Sequence, residues 1–346
     1  MPSAAVPFIV PDRIDAGDLS IAYFDLGDRD ADPVVLLHGY PYDVHSYAEV
    51  APLLVEAGHR VLVPYLRGHG GTRFRSERTE RSGQQAALGA DLLAFIDALA
   101  LDAPVLAGYD WGGRAACVVA ALWPERVSGL VSVNGYLIQD VAASREPIRP
   151  DLEAGFWYFW YFATDRGRRG LEANRRDIAE VIWRRNSPQW RFEGDVLDRT
   201  AAAFDNPDYV EVVIHSYRHR LGLASGATIY DELERRLAMR PPINAPTITL
   251  DGTADGNFPA TDGSAHAHLF TGPREHRQVP HAGHHLPAEA PHAFAQAVTD
   301  VAEIHGGAGR FSSTDAGATP ASQQDPRRGL LSQTQHRAAR PSERRP

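Results

Sequence analysis

The stretch that most constrains this chain runs from Val105 to Trp123. Val105-Leu-Ala-Gly108 is a short apolar run that ends in a glycine, and Arg114–Trp123 is a helix-length Ala/Val/Leu segment. Short apolar runs of this kind read as a buried strand and a buried helix, here joined by a very short turn. Gly108, Gly112 and Gly113 surround one acidic residue, Asp110. A strand that passes so abruptly into a helix brings backbone against backbone, and a Cβ at the flanking positions would collide. The layout, small-x-nucleophile-x-small, is that of a nucleophile elbow, with Asp110 where serine usually stands. Cys117 falls on the apolar helix behind the turn and reads as a small core residue.

The rest of the chain alternates around this unit. Apolar runs at 19–26, 34–37, 60–63, 103–107, 129–133, 247–250 and 276–279 are separated by helical patterns at 48–58, 84–101, 114–123 and 288–301. Short buried strands alternating with helices predict an α/β fold, a mostly parallel twisted sheet with helices on both faces. The alternation stops between 137 and 240, which is rich in arginine and aromatic residues, with helical stretches at 167–185, 196–204, 209–220 and 229–239. An insertion there reads as a helical cap over the carboxyl ends of the strands, where open α/β sheets bind ligands. The expected organisation is a core of 1–136 and 241–305, a cap of 137–240 and a disordered tail of 306–346, whose seven arginines and three acids make it mildly basic.

Composition narrows the function classes. Of the 346 residues 43% are hydrophobic and 23% charged, as in soluble globular proteins. The net charge of −9 argues against sequence-independent nucleic-acid binding. No uncharged apolar run approaches a membrane span, and Met1–Pro7 lacks the pattern of a secretory signal, so a cytoplasmic protein without a membrane is expected. A single cysteine excludes an intrachain disulfide framework. All 35 basic residues are arginine, a mark of a GC-rich genome rather than of a function.

Three further signals follow the elbow logic. His38-Gly39-Tyr40-Pro41 ends an apolar strand, and its glycine lets the N–H of Tyr40 turn toward the site beside that of Trp111, two donors fit for an oxyanion hole. Asp255, just past Leu250-Asp-Gly-Thr-Ala254, is placed to orient a histidine, with Asp251 as the competitor. His284, after Gly283, is the candidate base and His285 its reserve, giving the chain order nucleophile, acid, base. The histidines at 266, 268, 281, 284 and 285 fit no zinc spacing, so no metal is expected, and no cofactor is implied. A carboxylate is ionised at neutral pH without a base. Its natural target is an electrophilic sp³ carbon with a leaving group, and the product is an alkyl ester that the histidine then hydrolyses.

With these residues in place, the chain resembles the α/β-hydrolase superfamily over roughly 20–305, specifically the branch of epoxide hydrolases and dehalogenases with an aspartate nucleophile. The resemblance rests on His38-Gly-Tyr-Pro41, Gly108-Tyr-Asp-Trp-Gly-Gly113, Gly252-Thr-Ala-Asp255 and Gly283-His284. It implies the α/β-hydrolase fold and an Asp110–His284–Asp255 triad. Arg67-Gly-His-Gly70 looks like a scaffold turn of the same family. Epoxide hydrolases of this branch use two cap tyrosines to hold the epoxide oxygen. Tyr158, in the aromatic run Phe156–Phe162, and Tyr217, in His215-Ser-Tyr-Arg218, resemble them, and an aromatic third residue in His38–Pro41 also fits that group. In haloalkane dehalogenases the tryptophan after the nucleophile binds halide, but Tyr40 stands where many of them place a second donor. In haloacetate dehalogenases Arg114 would match one of two carboxylate-holding arginines, the other being Trp111 here; Trp160 and Tyr217 would match their cap residues. Arg114 reads equally well as a buried residue paired with a nearby acid. His38 is placed among the residues lining the substrate site. The resemblance therefore implies an epoxide hydrolase first, a haloalkane or haloacetate dehalogenase second, and a non-turnover ligand-binding relative third. The expected substrate is small and apolar or aromatic, and the expected assembly a monomer or homodimer.

Overall fold

Strand β3 (Pro33–Leu37) and strand β6 (Val105–Gly108) lie side by side in parallel, with Leu37 opposite Gly108, and the sheet grows outward from this pair. The computed structural model describes residues 8–306, so the expectation of disorder beyond 306 lies outside the described residues. On one side β3 meets β4 (Arg60–Pro64), then β2 (Leu19–Leu26) and β1 (Asp12–Ala16); on the other β6 meets β7 (Gly129–Val133), β8 (Thr247–Gly252) and β9 (Arg274–Val279). The short β5 (Arg73–Phe74) pairs with β2. Pairings from β4 to β9 are parallel; those of β2 with β1, β4 and β5 are antiparallel.

After β3 the chain goes to one side of the sheet, and with β6 it crosses to the other. The strand order therefore reverses between β3 and β6, and the crevice at their carboxyl ends is where such sheets take ligands. Every residue of β6 and β7 is buried, as a sheet covered on both faces requires. Helix α1 (Val50–Glu56) packs with α12 (Pro291–Gly306), and α2 (Gln85–Ala98) with α3 (Asp110–Leu122). Each Val or Leu fully buried between sheet and helices contributes about 1.5–3 kcal/mol.

Seven helices lie between β7 and β8: α4 (Pro150–Gly155), α5 (Trp157–Ala163), α6 (Asp165–Ala173), α7 (Arg175–Asn186), α8 (Gly194–Ala201), α9 (Tyr209–Arg220) and α10 (Asp231–Ala238). Helices α5 and α9 pack on each other and carry Tyr158 and Tyr217.

The sequence reading missed several elements. Strands β1 and β5 are edge pieces whose residues are mostly exposed (β1) or half-exposed (β5), which leaves no apolar run to see. The helical pattern at 167–185 is two helices, broken at Asn174 (φ −136°), and Thr164 caps the first by accepting from the Gly167 N–H. The helix after the elbow starts at Asp110 itself rather than at Arg114.

Candidate active site

His38–Pro41 and Tyr109–Gly113 leave the sheet next to each other because β3 and β6 end in register. Only glycine permits this approach. A Cβ on Gly112 would lie 2.1 Å from the Leu37 carbonyl oxygen, and one on Gly39 would lie 2.5 Å from Cβ of Asp110. Asp110 holds φ +49°, the left-handed region, which costs a non-glycine residue roughly 1–3 kcal/mol. The Tyr40 N–H donates to Asp110 Oδ1 at 2.7 Å and helps to fix it there. The N–H of Trp111 lies in the first turn of α3, where the helix offers it no acceptor of its own.

The second carboxylate oxygen, Oδ2, faces His284 Nε2 across 3.9 Å. His284 Nδ1 donates to Asp255 Oδ2 at 2.9 Å. Asp255 also receives the N–H groups of Asn257 and Phe258, each at 2.8 Å, and the Asn134 amide at 3.3 Å. So many donors leave the carboxylate one orientation, and His284 inherits it. The two competitors are engaged elsewhere. Asp251 accepts from the N–H and hydroxyl of Thr261. His285 meets Ser46 Oγ at 2.8 Å and packs on the Tyr42 ring at 4.3 Å.

Burial works against the charged form of His284, but the Asp255 and Asp110 carboxylates outweigh it and push its pKa up to about 10. Burial likewise opposes ionisation of Asp110; its contact with His284, the Arg220 charge and the Tyr40 N–H more than offset that and leave it below the usual carboxylate range. The resting site is thus an aspartate–histidinium–aspartate array.

A cavity opens on this array, lined by Asp110, Asn134, His284, Phe258, Leu137, Phe156, Tyr158, Phe159, Arg114 and Arg220. Tyr158 Oη accepts from the Asn257 amide at 3.3 Å. Tyr217 lies directly behind, its ring edge-on to Tyr158 at 5.5 Å and 6.0 Å from that of Trp111. Burial raises the pKa of both phenols, and the Asp110 charge raises it further, so both keep their protons.

Two expected substrate contacts are not there. Trp160 is 48% exposed and donates its indole N–H to Glu153 at 2.9 Å on the outer side of α5, away from the cavity. Its neighbours two positions earlier and one position earlier, Tyr158 and Phe159, point inward instead. His38 is fully buried under the turn: Nδ1 donates to the Gly39 carbonyl and Nε2 accepts from the Leu66 N–H, while burial lowers its pKa to about 3. It is a neutral strut for the turn that carries Tyr40. Arg114 lines the cavity but has no acidic partner among the described residues; Nη1 reaches only Gln139 Oε1, at 3.4 Å. Arg220, Asn134, Asn257 and Phe258 are site residues that sequence reasoning did not single out. Phe258, stacked on His284 at 5.5 Å, and Asn257 follow Asp255 so closely that its motif marks them in hindsight; nothing in the sequence marks Arg220.

The family model for the alpha/beta hydrolase fold matches residues 32–291. A crystal structure from Klebsiella pneumoniae subsp. pneumoniae, described as that of a "putative epoxide hydrolase", is 50% identical and superposes with a TM-score of 0.83 over 85% of this chain and 97% of its own. Epoxide hydrolase A of Mycobacterium tuberculosis is 26% identical over 80% of this chain and 92% of its own. A haloalkane dehalogenase of Psychrobacter cryohalolentis is 34% identical over 38% of this chain, a match that spans 42% of that enzyme's length. The chain belongs to the α/β-hydrolase fold family, with epoxide hydrolases and haloalkane dehalogenases among its relatives.

Proposed function

We propose that this protein hydrolyses epoxides to vicinal diols through an ester of Asp110. The observation that carries the reading is the pairing of a carboxylate whose Oδ2 faces His284 Nε2 across 3.9 Å with two adjacent buried tyrosines, whose burial keeps their phenols protonated. In the first half-reaction Asp110 Oδ2 attacks a ring carbon and the C–O bond breaks. The departing oxygen takes a proton from the tyrosine pair, and the histidinium returns one to it. Esterification removes the Asp110 charge that helped hold His284 protonated, so the histidine becomes a base when one is needed. In the second half-reaction His284 takes a proton from water, and the oxygen attacks the ester carbonyl. The oxyanion is held by the N–H groups of Tyr40 and Trp111, each such donor commonly worth about 3–4 kcal/mol. Collapse releases the diol, which takes the proton from His284; the second water proton, left on the Asp110 carboxyl, returns to His284 and restores the array.

A second reading, dehalogenation, draws on the Trp111 indole N–H, which is buried at the site without a hydrogen bond of ordinary geometry and is suited to a departing halide. Intact mass separates the two. A His284→Gln variant, lacking the base, is expected to stall at the ester. Incubated with styrene oxide it gains the mass of the whole epoxide, because the oxygen stays with the substrate. A gain only with a bromoalkane or a haloacetate, equal to substrate less hydrogen halide, would replace the epoxide reading.

A further inference from the structure

We infer that the substrate carries a carboxylate, held between Arg114 on α3 and Arg220 at the end of α9. Both side chains line the cavity of Asp110, and both residues are more than nine-tenths buried, at 8% and 7% exposure. Neither guanidinium has an ion-pair partner among the described residues, and Nε of Arg114 and Nη2 of Arg220 have no hydrogen-bond acceptor. A buried cation is ordinarily paired, because leaving water costs far more than packing returns. The protein itself supplies only soft contacts. The Arg220 guanidinium lies against the rings of Tyr217, Trp111 and Phe159 at 5.3, 5.7 and 5.8 Å. Gln139 accepts weakly from Arg114 and donates to the Arg220 backbone carbonyl at 3.1 Å, so one amide links the Arg114 side chain to the end of α9 from which Arg220 projects.

The charge balance of the site points the same way. Arg114, Arg220 and the histidinium line the cavity with one carboxylate, Asp110, while Asp255 sits behind His284 and is taken up by it. Burial and then the Arg220 charge pull the pKa of Arg114 down to about 9, more than the Asp110 charge offsets. Forming the ester removes the charge of Asp110, the carboxylate that lines the cavity with the two guanidiniums. A carboxylate on the substrate fills that deficit in both half-reactions and meets the planar donor forks that arginine offers. The apolar remainder of the substrate lies on Phe156, Phe159 and Leu137. The substrate class is thus a short epoxy acid with an apolar or aromatic tail, in place of the neutral molecule that the aromatic cap alone implies.

The substrate class rests on the reading of Asp110 as the nucleophile, so the test has one arm that needs no chemistry. By calorimetry the wild-type protein is expected to bind phenylacetate at least tenfold more tightly than phenylacetamide, and Arg114→Gln and Arg220→Gln to lose that difference, while Arg220→Lys retains part of it. In the kinetic arm, kcat/KM for trans-3-phenylglycidate should exceed that for trans-3-phenylglycidamide by tenfold or more in the wild type, with the ratio falling toward one in either Gln variant. Equal binding of acid and amide to the wild-type protein overturns the inference, whatever the variants do. Equal turnover of the two epoxides overturns it while leaving epoxide opening in place. Selective binding of phenylacetate with no turnover of either epoxide keeps the anion site and sinks the epoxide reading.

Discussion

At the scale of single residues, the reaction depends on protons being where each step requires them. Tyr158 and Tyr217 can donate to a forming alkoxide because burial, reinforced by the Asp110 charge, keeps both phenols neutral. Tyr158→Phe and Tyr217→Phe are each expected to slow ring opening by about 10²–10⁴-fold, the range of a positioned acid. Single-turnover mixing reads this as slower ester formation, with ester hydrolysis little changed. An equal loss in both half-reactions would count against a role confined to the epoxide oxygen. Much of the site was legible at this scale. Asp110, His284 and Asp255 stand in motifs where glycine and chain order announce a turn, and the structure brings the three together. Arg220 was not legible. Its segment, Tyr217-Arg-His-Arg220, reads as the basic end of a surface helix, and only packing shows that Arg218 turns outward to Asp165 while Arg220 turns in. Trp160 failed for the mirror reason: in a run of seven aromatics, composition cannot say which side of the helix faces the cavity.

At the scale of elements, the elbow is a contact between the start of α3 and the end of β3 that exists only without side chains. Gly112→Ala would drive a Cβ into backbone, 2.1 Å from the Leu37 oxygen and 2.5 Å from that of His38, and neither strand nor helix can yield cheaply. The expected cost is about 3–5 kcal/mol, at the far end of single substitutions. Gly194, at the start of α8, supplies the control: a Cβ there meets nothing within 4 Å. Gly194→Ala should shift stability by no more than about 0.5 kcal/mol. Urea unfolding of the two variants tests the pair, and a Gly112→Ala protein as stable as wild type would mean that α3 is not seated on β3 as described. The same physics explains which elements the sequence announced. Strands buried on both faces must be apolar throughout, so β3, β4, β6 and β7 stood out. Edge strands β1 and β5 have no such demand, and the short α5 is set by packing against α6 and α9 rather than by any period of its own.

At the scale of the whole molecule, the buried charge array couples folding to pH. His284 titrates near 10 in the folded protein against an ordinary value of 6.5. Between those values the folded chain holds a proton that the unfolded chain has released, so stability falls as pH rises through that window. The contribution is complete below about pH 6.5 and gone above about 10, and it amounts to a few kcal/mol. Asp110 acts oppositely: its lowered pKa stabilises the fold above the usual carboxylate range, and that part is lost on acidification. The alkaline limb should be unusually easy to read here. All 35 basic residues are arginine, so no lysine contributes. The buried Cys117 thiol, its pKa raised, adds to the alkaline fall, and Arg114, pulled down to about 9, opposes it. Both act alike in the wild type and in His284→Gln, so the difference between the two curves isolates the histidine. Thermal midpoints taken from pH 6 to pH 10 are therefore expected to fall in the wild-type protein and to stay flatter in His284→Gln. Asp255→Asn should fall in between, because it removes the larger of the two carboxylate effects on His284 and leaves that of Asp110. Parallel slopes in wild type and His284→Gln would place the proton uptake elsewhere. The histidine would then rest neutral, and esterification would no longer be the event that makes it a base.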